Sequence, residues 1–177
     1  GEQMVMILFQ ILKINLSNLM DTVNVFFQGI KSIPIMPDVS GIKFGDIIEL
    51  PEKVPVLDLS NQNSQNKNNY TYSIGKYNEK RPGMYLGQHY EKTHRNIHMG
   101  IDIGAPVGTP VYSFYDGEIF LFDYNDGKLD YGYTLIIKHV INNVSLFALY
   151  GHLDQRSIKN KKVGEHVSTN DEIAFIG

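Results

Sequence analysis

Cysteine is absent from the 177 residues, which excludes disulfides and thiolate-held metal together. Any zinc bound by this chain must be held by His, Asp, Glu and water. A long apolar run is also missing. The stretch Met4 to Leu12 is short, is interrupted by Gln10 and has no basic segment before it, so it reads as neither a membrane span nor a signal peptide. Nor is there a charge excess of one sign. Sixteen Lys and Arg stand against nineteen Asp and Glu, for a net charge of -3, which gives nucleic acid or an anionic surface little to hold. The tight basic cluster Lys159-Asn160-Lys161-Lys162 reads as a solvated loop. No glycine-rich run opens a helix, so Gly104, Gly108, Gly117 and Gly132 read as turn formers rather than a phosphate cradle.

What is present is enough apolar material, 42% of residues with 20% charged, to build the core of one ordinary domain with an appendage. Residues 1 to about 33 place Leu8, Ile11, Leu12, Leu19, Met20, Val23, Phe26, Phe27 and Ile30 at spacings of 3, 4 and 7. That period predicts a helical N-terminal segment, with Ser17 or Asn18 capping a second helix near Leu19. Pro34, Pro37, Pro51 and Pro55 then punctuate extended pieces, with strands expected over Phe44 to Leu50 and Val54 to Leu59. The run from Asn61 to Asn69 has nothing to bury and reads as a linker. The division expected is therefore 1–60, the linker 61–69, and a β domain over 70–177. Within that domain Asp116-Gly117 and Asn142-Asn143 each sit between strand-like runs and predict two hairpins. The fold class expected is mainly β, an antiparallel sheet with the helical segment ahead of it. The chain stops on Phe175-Ile176-Gly177, in what reads as strand and turn, and reads as a piece of a longer protein.

His98-Met99-Gly100-Ile101-Asp102 sets an imidazole and a carboxylate four residues apart, both ordinary zinc ligands. A helix would bring i and i+4 together. Gly100, Ile101, Ile103, Gly104 and Pro106 count against one. A straight strand would hold the two roughly 13 Å apart, too far for one ion. The chain must bend between them, and Gly100 permits it. His152 ends the run Leu146 to Gly151, and simple alternation places it on the face of Leu146, Ala148 and Tyr150, at an accessible rim. His139, on the apolar face of Leu135, Ile137 and Ile141, reads as a packed residue; His89, His94 and His166 read as ordinary polar positions.

His98-x-x-x-Asp102, then Ala105 to Val111, Asp116-Gly117, Tyr131-Gly132-Tyr133, Tyr150-Gly151-His152-Leu153 and Val163 to Val167, in this order, resemble the M23 peptidase family. That is the lysostaphin and LytM type of zinc metalloendopeptidase, and the resemblance covers roughly residues 94–177. It implies an antiparallel β core, a bound Zn2+, and a peptide or peptidoglycan-type substrate. It implies that His98 and Asp102 are two of three protein zinc ligands and that His152 is the catalytic histidine beside the metal. The family completes its site with a later His-x-His, which this chain lacks; two ligands alone imply weak binding. A zinc with three protein ligands keeps an open position for water, lowers its pKa towards roughly 7 and polarises a carbonyl. His152 would orient or deprotonate that water, or stabilise the oxyanion.

Two other readings stand beside this one. The same fold serves as a non-catalytic binding or regulatory domain where ligands are lost, although retention of His98, Asp102 and His152 argues against that here. Gly75-Lys76-Tyr77-Asn78-Glu79-Lys80-Arg81 ahead of Arg95 to His98 resembles M23 modules set between a kinase-like and an aminotransferase domain. That resemblance implies neighbouring domains and a cytoplasmic location, whereas a stand-alone M23 peptidase implies an extracytoplasmic one.

Overall fold

Asparagine tolerates left-handed backbone better than most residues, and Asn142 and Asn143 both adopt it, at φ 47° and 64°. The chain therefore reverses within two residues, and β9 (Gly132–Ile141) returns as β10 (Val144–Leu153). A computed structural model of the chain describes residues 3–11, 37–60, 70–81, 96–125 and 131–177, the first of these as backbone. On the other side of β9 lies β8 (Gly117–Asn125), again antiparallel.

Among the described residues the large sheet has eight strands, in the order β11, β8, β9, β10, β1, β6, β3, β2. Its remaining members are β1 (Gln3–Ile11), β2 (Val56–Leu57), β3 (Ser73–Gly75), β6 (Ile101–Ala105) and β11 (His166–Val167). All its pairings are antiparallel except that of β2 with β3. Two small ladders flank it: β4 (Glu79–Lys80) with β5 (Ile97–His98), and β7 (Pro110–Tyr112) with β12 (Glu172–Phe175). Between β10 and β11 a 3₁₀ helix, Gln155–Ile158, starts where the Asp154 carboxylate accepts the Arg156 N–H at 2.8 Å.

One face of the large sheet is the core. Ile103 and Ala105 of β6, Ile119 of β8, Leu135 and Ile137 of β9, and Leu146, Ala148 and Tyr150 of β10 all join one buried cluster, closed by Val111, Ile173 and Ile176. Alternation along each strand sends the intervening residues to the opposite face. Asp102 and Gly104 of β6 and Phe147, Leu149 and Gly151 of β10 stand there.

The antiparallel β core is as the sequence predicts, while several elements differ. Residues 3–11 form a strand, not the start of a helix. Val5, Ile7, Phe9 and Ile11 also alternate with period two, and β6 and β10 offer a ladder on each side, so tertiary pairing outweighs the helical spacing of Leu8, Ile11 and Leu12. The helix expected from Leu19 and the linker 61–69 lie outside the described residues. Phe44 to Leu50 forms no strand. It is tied to the core by single bonds, Gly45 N–H to Phe114 O and Tyr112 N–H to Ile47 O, both 2.8 Å, with Ile48 buried beneath. The second expected strand shrinks to Val56–Leu57. Asp116-Gly117 closes no hairpin, because β7 pairs with β12 and β8 with β9; the Asp116 carboxylate instead accepts the Thr169 N–H at 2.7 Å and its hydroxyl at 2.8 Å.

Candidate active site

His98 ends β5 and Asp102 is the second residue of β6, with a bend at Gly100 between them. The bend lets the two side chains meet: His98 Nε2 lies 3.1 Å from Asp102 Oδ1. Both are buried, at 4% and 3% exposure, so their remaining polar atoms need partners. His98 Nδ1 faces the Lys76 carbonyl at 3.4 Å. Asp102 Oδ2 accepts from Arg81 Nη1 at 2.6 Å, and Arg81 Nε donates to Glu79 Oε2 at 2.8 Å. Glu79 Oε1 in turn accepts the Leu59 N–H at 2.9 Å. Burial pushes the Asp102 carboxyl up, but the His98 hydrogen bond and charge and the Arg81 guanidinium outweigh it and hold it below its usual 3.8.

The pair suits a metal ion. Two donors 2.0–2.1 Å from a tetrahedral zinc stand roughly 3.3 Å apart, close to the observed separation. Here Nε2–H donates to Oδ1; a bound cation would replace that proton, with the Lys76 carbonyl keeping the proton on Nδ1 and the guanidinium keeping Oδ2. Among the described residues no group of three or more His, Asp or Glu is placed to hold a metal ion.

His152 lies on the neighbouring part of the same face. Three residues of β10, from Tyr150 to Leu153, span two of β9, from Leu135 to Tyr133. This bulge returns Leu153 to the core cluster beside Tyr150 and turns His152 away from it, with φ at 55°. Simple alternation, which puts His152 on the face of Leu146, Ala148 and Tyr150, is thus overturned by one extra residue. Gly151 shares its register line with Asp102, each opposite position 6 of β1. Two strand spacings separate them, roughly 10 Å.

Tyr131, which the sequence offers only as part of the Tyr131-Gly132-Tyr133 motif and without a role, is a member of this face. Its ring lies on Gly151, where an added Cβ would stand 3.2 Å from it, and its centroid is 6.3 Å from that of His152. Its carbonyl accepts the His152 N–H at 2.7 Å. Arg81 and Glu79 were also missed as site residues. Their signal is burial of charge at 1% and 6% exposure, which no spacing rule reveals. His139 is packed as expected, fully buried, with Nδ1 3.0 Å from the Asp116 carbonyl and its ring on Phe114. His166 is exposed on β11, and His89 and His94 lie outside the described residues.

Residues 96–177 match the family model of peptidase family M23, which supports the resemblance carried by the motifs from His98 to Val167. The match lends no support to the kinase-like and aminotransferase neighbours suggested by residues 75–81. No curated protein and no solved structure matches the chain. Among the described residues no helix is long and apolar enough to cross a membrane.

Proposed function

We propose that the module is a zinc-dependent endopeptidase acting on peptides of the peptidoglycan type, with His98 and Asp102 as metal ligands and His152 as the proton-handling residue. The observation that carries this reading is the convergence of His98 Nε2 and Asp102 Oδ1 to 3.1 Å, each group fixed from behind by another contact. A zinc ion held by His98 and Asp102 would supply a Lewis acid for the scissile carbonyl and would lower the pKa of bound water towards roughly 7. Asp102, kept anionic by its neighbours, contributes the charge that favours a cation. In this reading His152, at the bulge between Tyr150 and Leu153, takes a proton from the attacking water and returns it to the leaving amine. Tyr131 stands beside His152, its ring centroid 6.3 Å from that of the imidazole and its carbonyl accepting the His152 N–H.

Zinc titration by calorimetry and hydrolysis of a labelled glycine-rich or stem-type peptide test the reading. His98→Ala and Asp102→Ala are expected to abolish both signals, and His152→Ala to abolish hydrolysis while zinc still binds. Undiminished binding or hydrolysis in either ligand variant overturns it.

A second reading, a non-catalytic M23-type binding domain, draws on the fact that two donors and not three meet among the described residues. Zinc or peptide binding without cleavage would select it.

A further inference from the structure

Residues 75–81 precede the family match, which begins at 96, yet four of them surround the His98–Asp102 pair. Gly75 is the register partner of Asp102, and Glu79 that of His98. The Lys76 carbonyl faces His98 Nδ1. Arg81 bridges Asp102 and Glu79 through Nη1 and Nε at 2.6 and 2.8 Å. Its side chain is only 1% exposed.

We propose that Arg81, held in place by Glu79, is a positioning residue that makes Asp102 a one-oxygen metal donor. The proposal rests on the metal-site reading above. A carboxylate can offer an ion one oxygen or both; a charge-assisted bond from a guanidinium to Oδ2 takes that oxygen out of reach and aims Oδ1 at the point His98 Nε2 also faces. A lone arginine so close would repel a cation. Glu79 offsets this: the trio of Glu79, Arg81 and Asp102 carries one net negative charge, which Asp102 keeps for the ion. Lysine cannot substitute, because a single ammonium lacks the fork that binds two carboxylates at fixed angles. The space opposite Asp102 is also reserved for this arrangement, since a Cβ on Gly75 would stand 2.9 Å from both Arg81 Nη2 and Asp102 Oδ2.

The test is metal affinity and geometry in the full chain, by zinc calorimetry and by the visible absorption of added Co2+. The variants are Arg81→Lys, Arg81→Met and the pair Glu79→Gln with Arg81→Met, which removes both charges so that neither is left buried alone. Thermal melts establish that each is folded. Each folded variant should bind zinc about 10–100-fold more weakly, and the Co2+ absorption should fall in intensity as Asp102 engages through both oxygens and the coordination number rises. Zinc affinity within twofold of the unsubstituted chain in the folded double variant overturns the proposal. So does a loss of affinity with an unchanged Co2+ spectrum, which belongs to general loosening. Absence of zinc binding in the unsubstituted chain overturns the metal-site reading itself, and this proposal with it.

Discussion

Gly75 lies directly opposite Asp102 in the β3–β6 ladder, and the Asp102 carboxylate and Arg81 guanidinium occupy the space its side chain would need. A methyl group there would meet Arg81 Nη2 and Asp102 Oδ2 at 2.9 Å and Asp102 Cβ at 3.1 Å. The last contact is with an atom close to the backbone of a paired strand and gives way poorly. Gly75→Ala should therefore destabilise the fold by about 1–3 kcal/mol, the usual cost of overpacking. Urea denaturation measures this; a change within 0.5 kcal/mol, on the order of a neutral surface substitution, would mean that the ladder has slack at Asp102.

Removing Arg81 alone strands two buried carboxylates, Glu79 and Asp102. Arg81→Met should cost about 3–5 kcal/mol, the penalty of breaking a buried pair from one side. Adding Glu79→Gln takes away one of the stranded charges, so the double variant should recover part of the loss. Comparison of the two unfolding midpoints checks the order; a double variant less stable than Arg81→Met would contradict it.

The legible parts of this chain are those fixed by local chemistry. Asn142-Asn143 predicts its hairpin because both residues accept positive φ, and Gly100 predicts the bend that joins His98 to Asp102. The illegible parts depend on distant partners. Asp116-Gly117 has equal turn character, but the partner of β7 is β12, some sixty residues on, and no turn signal encodes that. Residues 3–11 carry both a helical and a strand period, and the two flanking ladders decide between them. A single bulged residue moves His152 to the other face, and a sequence pattern of period two does not show it. Arg81 and Glu79 are visible in the sequence as ordinary charges. Only the fold buries them, Arg81 against Asp102 and Glu79 against Arg81.

His139 makes stability depend on pH at a point away from the candidate site. Its Nδ1 lies 3.0 Å from the Asp116 carbonyl, which as an acceptor requires the proton there; Nε2 is buried without a partner among the described residues. A second proton on Nε2 would be a buried, unpaired donor. Burial accordingly holds the imidazole below its ordinary 6.5, against the opposing pull of the Asp116 and Tyr115 backbone. The unfolded chain takes up the proton first as pH falls, so this contribution is complete above about pH 6.5 and is lost between 6.5 and the lower folded-state value. Urea midpoints from pH 7.5 to 5 should fall more steeply in the natural chain than in His139→Met. Parallel profiles would mean that other groups set the slope.

His152 separates strain from chemistry. At φ 55° it occupies the left-handed region that costs a non-glycine residue about 1–2 kcal/mol, and such strain persists where the surroundings impose it. Here they do: its N–H donates to the Tyr131 carbonyl at 2.7 Å, and its own carbonyl accepts from Gly177 N–H at 3.1 Å. Those backbone bonds survive any substitution of the side chain. His152→Ala keeps the strain and loses the imidazole, whereas His152→Gly relieves the strain and loses the imidazole as well. The glycine variant should therefore be the more stable of the two by about 1 kcal/mol, after allowance for glycine's greater freedom when unfolded. Neither should hydrolyse peptide. Equal stability of the two in urea would show that the bulge relaxes once the ring is gone, and hydrolysis by either would take the proton-handling role away from His152.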